Sequence, residues 1–102
     1  MKAVCVARAG EIAEGASKIV PVEGRQIALF NVGGRFYAID NVCPHRGGSL
    51  GEGHVEDGVV TCPWHAWQFN VVTGACLTVP ASRQNAYKVR TEGDEILIEL
   101  PV

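Results

Sequence analysis

Short runs of β-branched and alternating apolar residues recur along the chain, each ended by glycine, proline or an acidic turn residue. "AVCVAR" (3–8) and "SKIVPV" (17–22) lie between Gly10, Gly15 and Gly24 and predict strands. "RQIALFNV" (25–32) and "RFYAID" (35–40) flank Gly33-Gly34, a two-residue loop suited to a tight hairpin. "GHVE" (53–56) and "VVTC" (59–62) flank Asp57-Gly58 in the same way, and "AYKVRT" (86–91) and "EILIEL" (95–100) flank Gly93-Asp94. "QFNV" (68–71) closes at Thr73-Gly74, after which "ACLTV" (75–79) begins a further strand. Only "EIAEGAS" (11–17) reads as a helical turn, and it is too short to be stable alone.

The pattern predicts an all-β fold, a small antiparallel sandwich or partly open barrel. A length of 102 residues has room for one ordinary core, so residues 1–102 are expected to form a single domain. Residues 41–80, approximately, differ in texture: they hold both tryptophans and three of the five prolines, and read as a loop-rich lobe inserted into a β base. Cys5 and Cys76 alternate with valine, alanine and leucine and are expected in the core.

Charge and hydropathy narrow the class of function. Nine Lys and Arg against eleven Asp and Glu give a net charge of −2, which argues against a general nucleic-acid binder and permits docking on a basic protein. No apolar run approaches the roughly 20 residues of a membrane span. The N-terminal "AVCVA" is too short for a signal peptide, so the expected location is the cytoplasm, with no membrane contact. In that reducing compartment four cysteines point to metal ligation before disulfides.

"VCPHRGG" (42–48) and "CPWHAW" (62–67) carry the chemistry. Cys43 and His45, sixteen intervening residues, then Cys62 and His65, give C-x-H followed by C-x-x-H. A metal site, a redox or nucleophilic cysteine, and coincidence are the competing explanations. Each loop offers one thiolate and one imidazole, Pro44 and Pro63 stiffen the chain right after each cysteine, and the hairpin at Asp57-Gly58 can fold the second loop back beside the first. That matched arrangement favours a metal, and the donor set suits either tetrahedral zinc or an iron–sulfur cluster with mixed ligands. A nucleophile elbow, a dinucleotide or phosphate glycine motif and a third imidazole placed for a hydrolytic metal are all missing, so the chain reads as a carrier and not an enzyme.

"CPH" followed by "CPWH" resembles the cluster-binding motif of Rieske [2Fe–2S] proteins. The likeness is closest to the small soluble Rieske ferredoxins of bacterial ring-hydroxylating oxygenase systems. It extends over the whole chain, including "WQFNVVTG" (67–74) and a third proline loop, "TVPA" (78–81). The resemblance implies a Rieske-type fold with a β-sandwich base and one [2Fe–2S] cluster. Cys43 and Cys62 would hold one iron, and His45 and His65 the other. Pro80 would lie on the loop that covers the cluster. Trp64 and Trp67 are expected to shield it from water, and Gly47, Gly48, Gly51 and Gly53 to let the backbone wrap closely around inorganic sulfide.

Rieske subunits of cytochrome bc complexes carry an extra disulfide-forming cysteine in each loop, where this chain has Gly48 and Trp64. Trp67 and Phe69 also stand where those proteins place hydroxyl donors, so a potential in the lower part of the Rieske range, below about 0 mV, is expected. By the same resemblance the chain would pass single electrons from a flavin-dependent reductase to the terminal oxygenase of an aromatic-ring-hydroxylating dioxygenase system. It would dock as a monomer over the edges of His45 and His65. Arg46, the only Lys or Arg between 41 and 80, is a candidate partner contact, and His54 reads as an ordinary turn residue. The small subunit of an NAD(P)H-dependent assimilatory nitrite reductase suits "CPWHAWQFN" comparably. A zinc-stabilised binding module is the alternative of another class.

Overall fold

The computed structural model describes residues 2–42, 48–63 and 66–100. Among them the glycine-bounded runs form nine antiparallel strands: β1 (Lys2–Arg8), β2 (Ser17–Val22), β3 (Arg25–Val32), β4 (Arg35–Asp40), β5 (His54–Glu56), β6 (Val59–Thr61), β7 (Gln68–Asn70), β8 (Ala86–Glu92) and β9 (Glu95–Leu100). Gly33 and Gly34 both take positive φ, 61° and 89°, the backbone a two-residue hairpin requires. The β2–β3 turn does the same with Glu23 at φ 47° ahead of Gly24 at 82°, a hairpin that the sequence marks only by Gly24.

Six strands form one sheet in the order β1-β9-β8-β4-β3-β2, and its outer strands β1 and β2 come into contact, so the sheet is partly closed like a barrel. The order β5-β6-β7 makes a second, three-stranded sheet. Strands β3 and β4 are shared walls. Ile27, Leu29 and Ala38 point into the barrel with Val20, Val22, Ile96, Ile98 and Leu100. Ala28, Phe30 and Ile39, one residue out of phase, point the other way onto Leu50, Val60, Cys62, Phe69, Val71 and Cys76. The second core fastens the three-stranded sheet and the loops around it to the base.

Several expectations change. Residues 11–17 do not make a helical turn; a single 3-10 turn covers Ala9–Glu11, where Arg8 N–H donates to Glu11 Oε1 at 2.7 Å. The only other helical piece among the described residues is a 3-10 turn at Leu50–Glu52. "ACLTV" is not a strand. It makes single bridges, Phe69 with Cys76 and Ala75 with Arg83, and then turns, because Pro80 has no N–H to extend a ladder and Ser82 N–H folds back onto Val79 O at 2.9 Å. Cys5 is exposed instead of buried. It faces away from Val4 and Val6, which pack on the barrel core, and its sulfur lies 3.7 Å from Glu95 Oε2. Cys76 is buried in the second core as expected.

Candidate metal centre

The second Cys/His loop leaves β6 at Cys62 and returns to β7 through Trp67. Cys62 is 2 % exposed, and its backbone N–H donates to Trp67 O at 2.7 Å, closing the loop. Ala66 supplies the tight return with φ 59°. Trp67 is half-buried and packs against the second core, the one that holds Cys62 and Phe69. His65 and Trp64 lie outside the described residues.

The first loop is closed at its base by a bridge between Val42 and Ser49. Cys43, His45, Arg46 and Gly47 lie outside the described residues, as does Pro44. The two legs of that loop are anchored by buried polar side chains. Asn41, 2 % exposed, accepts from Gly51 N–H through Oδ1 at 2.7 Å and donates through Nδ2 to Ser49 Oγ at 3.0 Å and Gln26 Oε1 at 3.3 Å. Its backbone N–H reaches Gln26 O at 2.9 Å, and its carbonyl takes Leu50 N–H at 2.8 Å. Gln84, 5 % exposed, donates to the carbonyls of Asp40 and Val42. Beneath them, Tyr87 Oη donates to Asp40 Oδ1 at 2.5 Å and accepts from Arg25 Nη1 at 3.0 Å. Burial and then the Asp40 carboxylate hold the Tyr87 phenol above its ordinary value.

The returning leg brings the two loops together. Leu50 is fully buried in the same core as Cys62, and His54 pairs with Thr61, the residue before Cys62. Gly51 and Gly53 sit where the chain approaches its neighbours closely. A Cβ on Gly51 would collide with Ile19 Cγ1, and one on Gly53 would collide with Thr61 O. His54 itself is an exposed strand residue whose Nε2 sits 3.3 Å from Glu56 Oε2, so it stays out of the lobe interior.

The proline loop packs below. Cys76 Sγ accepts from Val79 N–H at 3.3 Å, Val79 is half-buried on the second core, and Pro80 is exposed. Gln68 N–H donates to Thr78 Oγ1 at 3.0 Å and Leu77 N–H to Gln68 O at 2.8 Å, tying this loop to β7. Sequence reasoning misses Asn41 and Gln84. Their bonds reach backbone groups up to 44 residues away, so no local pattern marks them.

Buried Cys62 at the mouth of one closed loop, beside a second closed loop that contains Cys43 and His45, suits a metal held between two short spans; the thiolate and imidazole donor types match a mixed-ligand iron–sulfur cluster. No helix among the described residues is long and apolar enough to cross a membrane.

Comparison with known proteins agrees with this chemistry. The sequence profile described as "Rieske [2Fe-2S] domain" matches residues 2–97. The chain is 49% identical over 77 residues to the 3-phenylpropionate/cinnamic acid dioxygenase ferredoxin subunit of Escherichia coli strain K12, covering 74% of this chain and 73% of that one. It is 38% identical over 91 residues to the ferredoxin component of the naphthalene 1,2-dioxygenase system of Pseudomonas aeruginosa, 88% of each chain. Among solved structures, the ferredoxin of carbazole 1,9a-dioxygenase from Nocardioides aromaticivorans IC177 superposes with a TM-score of 0.89 at 31% identity, over 96% of this chain and 97% of that one. A nitrite reductase small subunit from Mycobacterium tuberculosis has a TM-score of 0.91 at 24% identity, over 99% and 97% of the two chains, a likeness of fold alone. The chain belongs to the Rieske [2Fe-2S] domain family.

Proposed function

We propose that the chain is a one-electron carrier. It would receive electrons from a flavin-dependent reductase and deliver them to the terminal oxygenase of an aromatic-ring-hydroxylating dioxygenase system. Cys43 and Cys62 would hold one iron of a single [2Fe–2S] cluster, and His45 and His65 the other. When bound, the cluster supplies a centre that takes up and returns one electron. Residues 1–102 would act as one domain, with 41–80 as the lobe that carries the loops.

The observation that carries the reading is the buried Cys62, on a loop closed by its own N–H, next to a second loop pinned by Val42 and Ser49. Trp67, half-buried on the second core, excludes water from the Cys62 side, while the exposed Pro80 turn would bound the lobe from below. The lobe of residues 41–80 carries Glu52, Glu56 and Asp57 against the single Arg46, an acidic balance that suits a basic docking face on a partner. Relatives named as dioxygenase ferredoxins support the system, and a carbazole 1,9a-dioxygenase ferredoxin solved in complex with its oxygenase, 30% identical with a TM-score of 0.87 over 94% of this chain and 91% of that one, supports the transient partnership. The carrier would work as a monomer in the cytoplasm, where the thiols of Cys5 and Cys76 stay reduced. The nitrite reductase subunit shares the fold, and the ferredoxin relatives favour the oxygenase system over it.

Purified protein, reduced with dithionite, should give the low-average-g electron paramagnetic resonance signal of a Rieske centre, with iron and acid-labile sulfide in equal amounts. His45→Ala and His65→Ala should each abolish that signal and electron delivery from a flavin reductase to a ring-hydroxylating oxygenase. A colourless zinc protein, or a His45→Ala variant with normal delivery, would overturn the reading.

A further inference from the structure

Beyond Asp40 the backbone stops supplying the pairing of β4 with the returning chain. Ala38 and Ile39 face Tyr87 and Ala86, and Asp40 N–H donates to Asn85 O at 3.0 Å. The next rungs are made by a side chain. Gln84 Nε2 donates to Asp40 O at 2.8 Å and to Val42 O at 2.6 Å. Carbonyls two apart on an extended chain point the same way, and a primary amide has two N–H donors, so one glutamine spans both. Val42 is the residue directly before Cys43.

The glutamine is itself held from below. Its backbone N–H donates to Gly74 O at 2.7 Å, and Gly74 N–H donates to Asn70 O, the last residue of β7, at 2.8 Å. A Cβ on Gly74 would collide with Gln84 O, so only glycine lets the two backbones approach this closely. A continuous chain of bonds therefore runs from β7, which follows the second loop, through Gly74 and Gln84 to the entrance of the first. The carbonyls of Asp40 and Val42 also have their charge drawn toward the amide.

We propose that Gln84 is a positioning residue: by holding the Asp40 and Val42 carbonyls, its amide sets the potential and the retention of the cluster between the two loops. The inference rests on the reading of those loops as a cluster site. Replacing the donor leaves the Asp40 and Val42 carbonyl oxygens without their amide partner beside the loop, a more negative surrounding that disfavours the added electron.

The test uses cluster-loaded protein and voltammetry, with bleaching of the visible absorbance under an iron chelator as a second readout. Gln84→Met, similar in length and without a donor, should move the midpoint to more negative values and speed bleaching about tenfold or more. Gln84→Glu, which opposes the same carbonyls with an acceptor when ionised, should shift further. Gln84→Asn keeps the amide on a shorter stem and should fall between wild type and Gln84→Met, so the order is readable even where Gln84→Met loads poorly. Asn85→Ala removes a neighbouring bond to the Asp40 carboxylate, 2.8 Å, without touching either carbonyl, and should keep the wild-type midpoint. An unshifted Gln84→Met, or an equal shift in Asn85→Ala, overturns the inference while a wild-type Rieske spectrum leaves the proposed function standing. A wild-type protein without that spectrum removes both.

Discussion

Cys62 and Trp67 are the two ends of one loop, joined by a 2.7 Å bond from the cysteine N–H to the tryptophan carbonyl. Between them Ala66 takes φ 59°, the left-handed region that costs a residue with a Cβ about 1–2 kcal/mol. The turn is thus held by its closing bond and by the packing of its ends, against the preference of the residue that makes it.

Ala66→Gly should therefore leave stability unchanged or raise it by up to about 1 kcal/mol, whereas Ala66→Val should lower it by about 1 kcal/mol or more. The midpoint of urea unfolding reads both. An Ala66→Val variant as stable as the parent would show that the turn tolerates the strain.

Gly53 and Gly58 separate two reasons for glycine. Gly53 has an ordinary φ of −81°, but an added Cβ would run into Thr61 O, so Gly53→Ala should force β6 away and cost about 1–3 kcal/mol. Gly58 has open space and φ 76°, so Gly58→Ala should cost about 1 kcal/mol through backbone strain alone. Only the Gly53 change should also hasten cluster loss, because it displaces the residue before Cys62.

Asn41→Ala should cost about 1–3 kcal/mol, chiefly because Gly51 N–H loses its acceptor. Asn41→Asp, which keeps the acceptor facing Gly51 and loses the donors facing Ser49 and Gln26, should cost less at neutral pH. Thermal unfolding followed by near-ultraviolet circular dichroism ranks the two.

Tyr87 carries a pH dependence. Its phenol is held above the ordinary value of about 10, so on raising the pH the unfolded chain releases this proton before the folded one does. The folded state then binds more protons, and stability falls as pH rises above about 10; the contribution is fully present below that. Tyr87→Phe should flatten this alkaline loss and, at neutral pH, cost about 1 kcal/mol for the bond to Asp40. An unfolding titration between pH 8 and 11 compares the slopes.

The strand plan is legible because glycine pairs punctuate it. β2, β3, β4 and β9 begin and end where the apolar runs do, and the matched Cys/His pairs mark two loops whose bases the fold brings side by side. Cys5 is misplaced by its sequence context because a run of small apolar residues does not say which parity faces inward; only the partner strand decides that. "ACLTV" has the composition of a strand, and Pro80 with the Cys76–Val79 contact folds it into a turn. Asn41 and Gln84 leave no local mark, since each satisfies carbonyls or amides that long-range topology delivers to it. Gly51 and Gly53 stand out in the sequence as glycines, while the neighbours that require them, Ile19 and Thr61, are delivered by long-range packing.

Strand β3 has no idle face. A methyl group gained at Ala28 crowds the second core, which holds Cys62 and Phe69, and one lost at Leu29 loosens the barrel core, which holds Ile96 and Ile98. Wear on either side is felt by the same eight residues, so the durability of the scaffold and the fidelity of the electron site are inherited together, and drift in one cannot be absorbed without retuning the other.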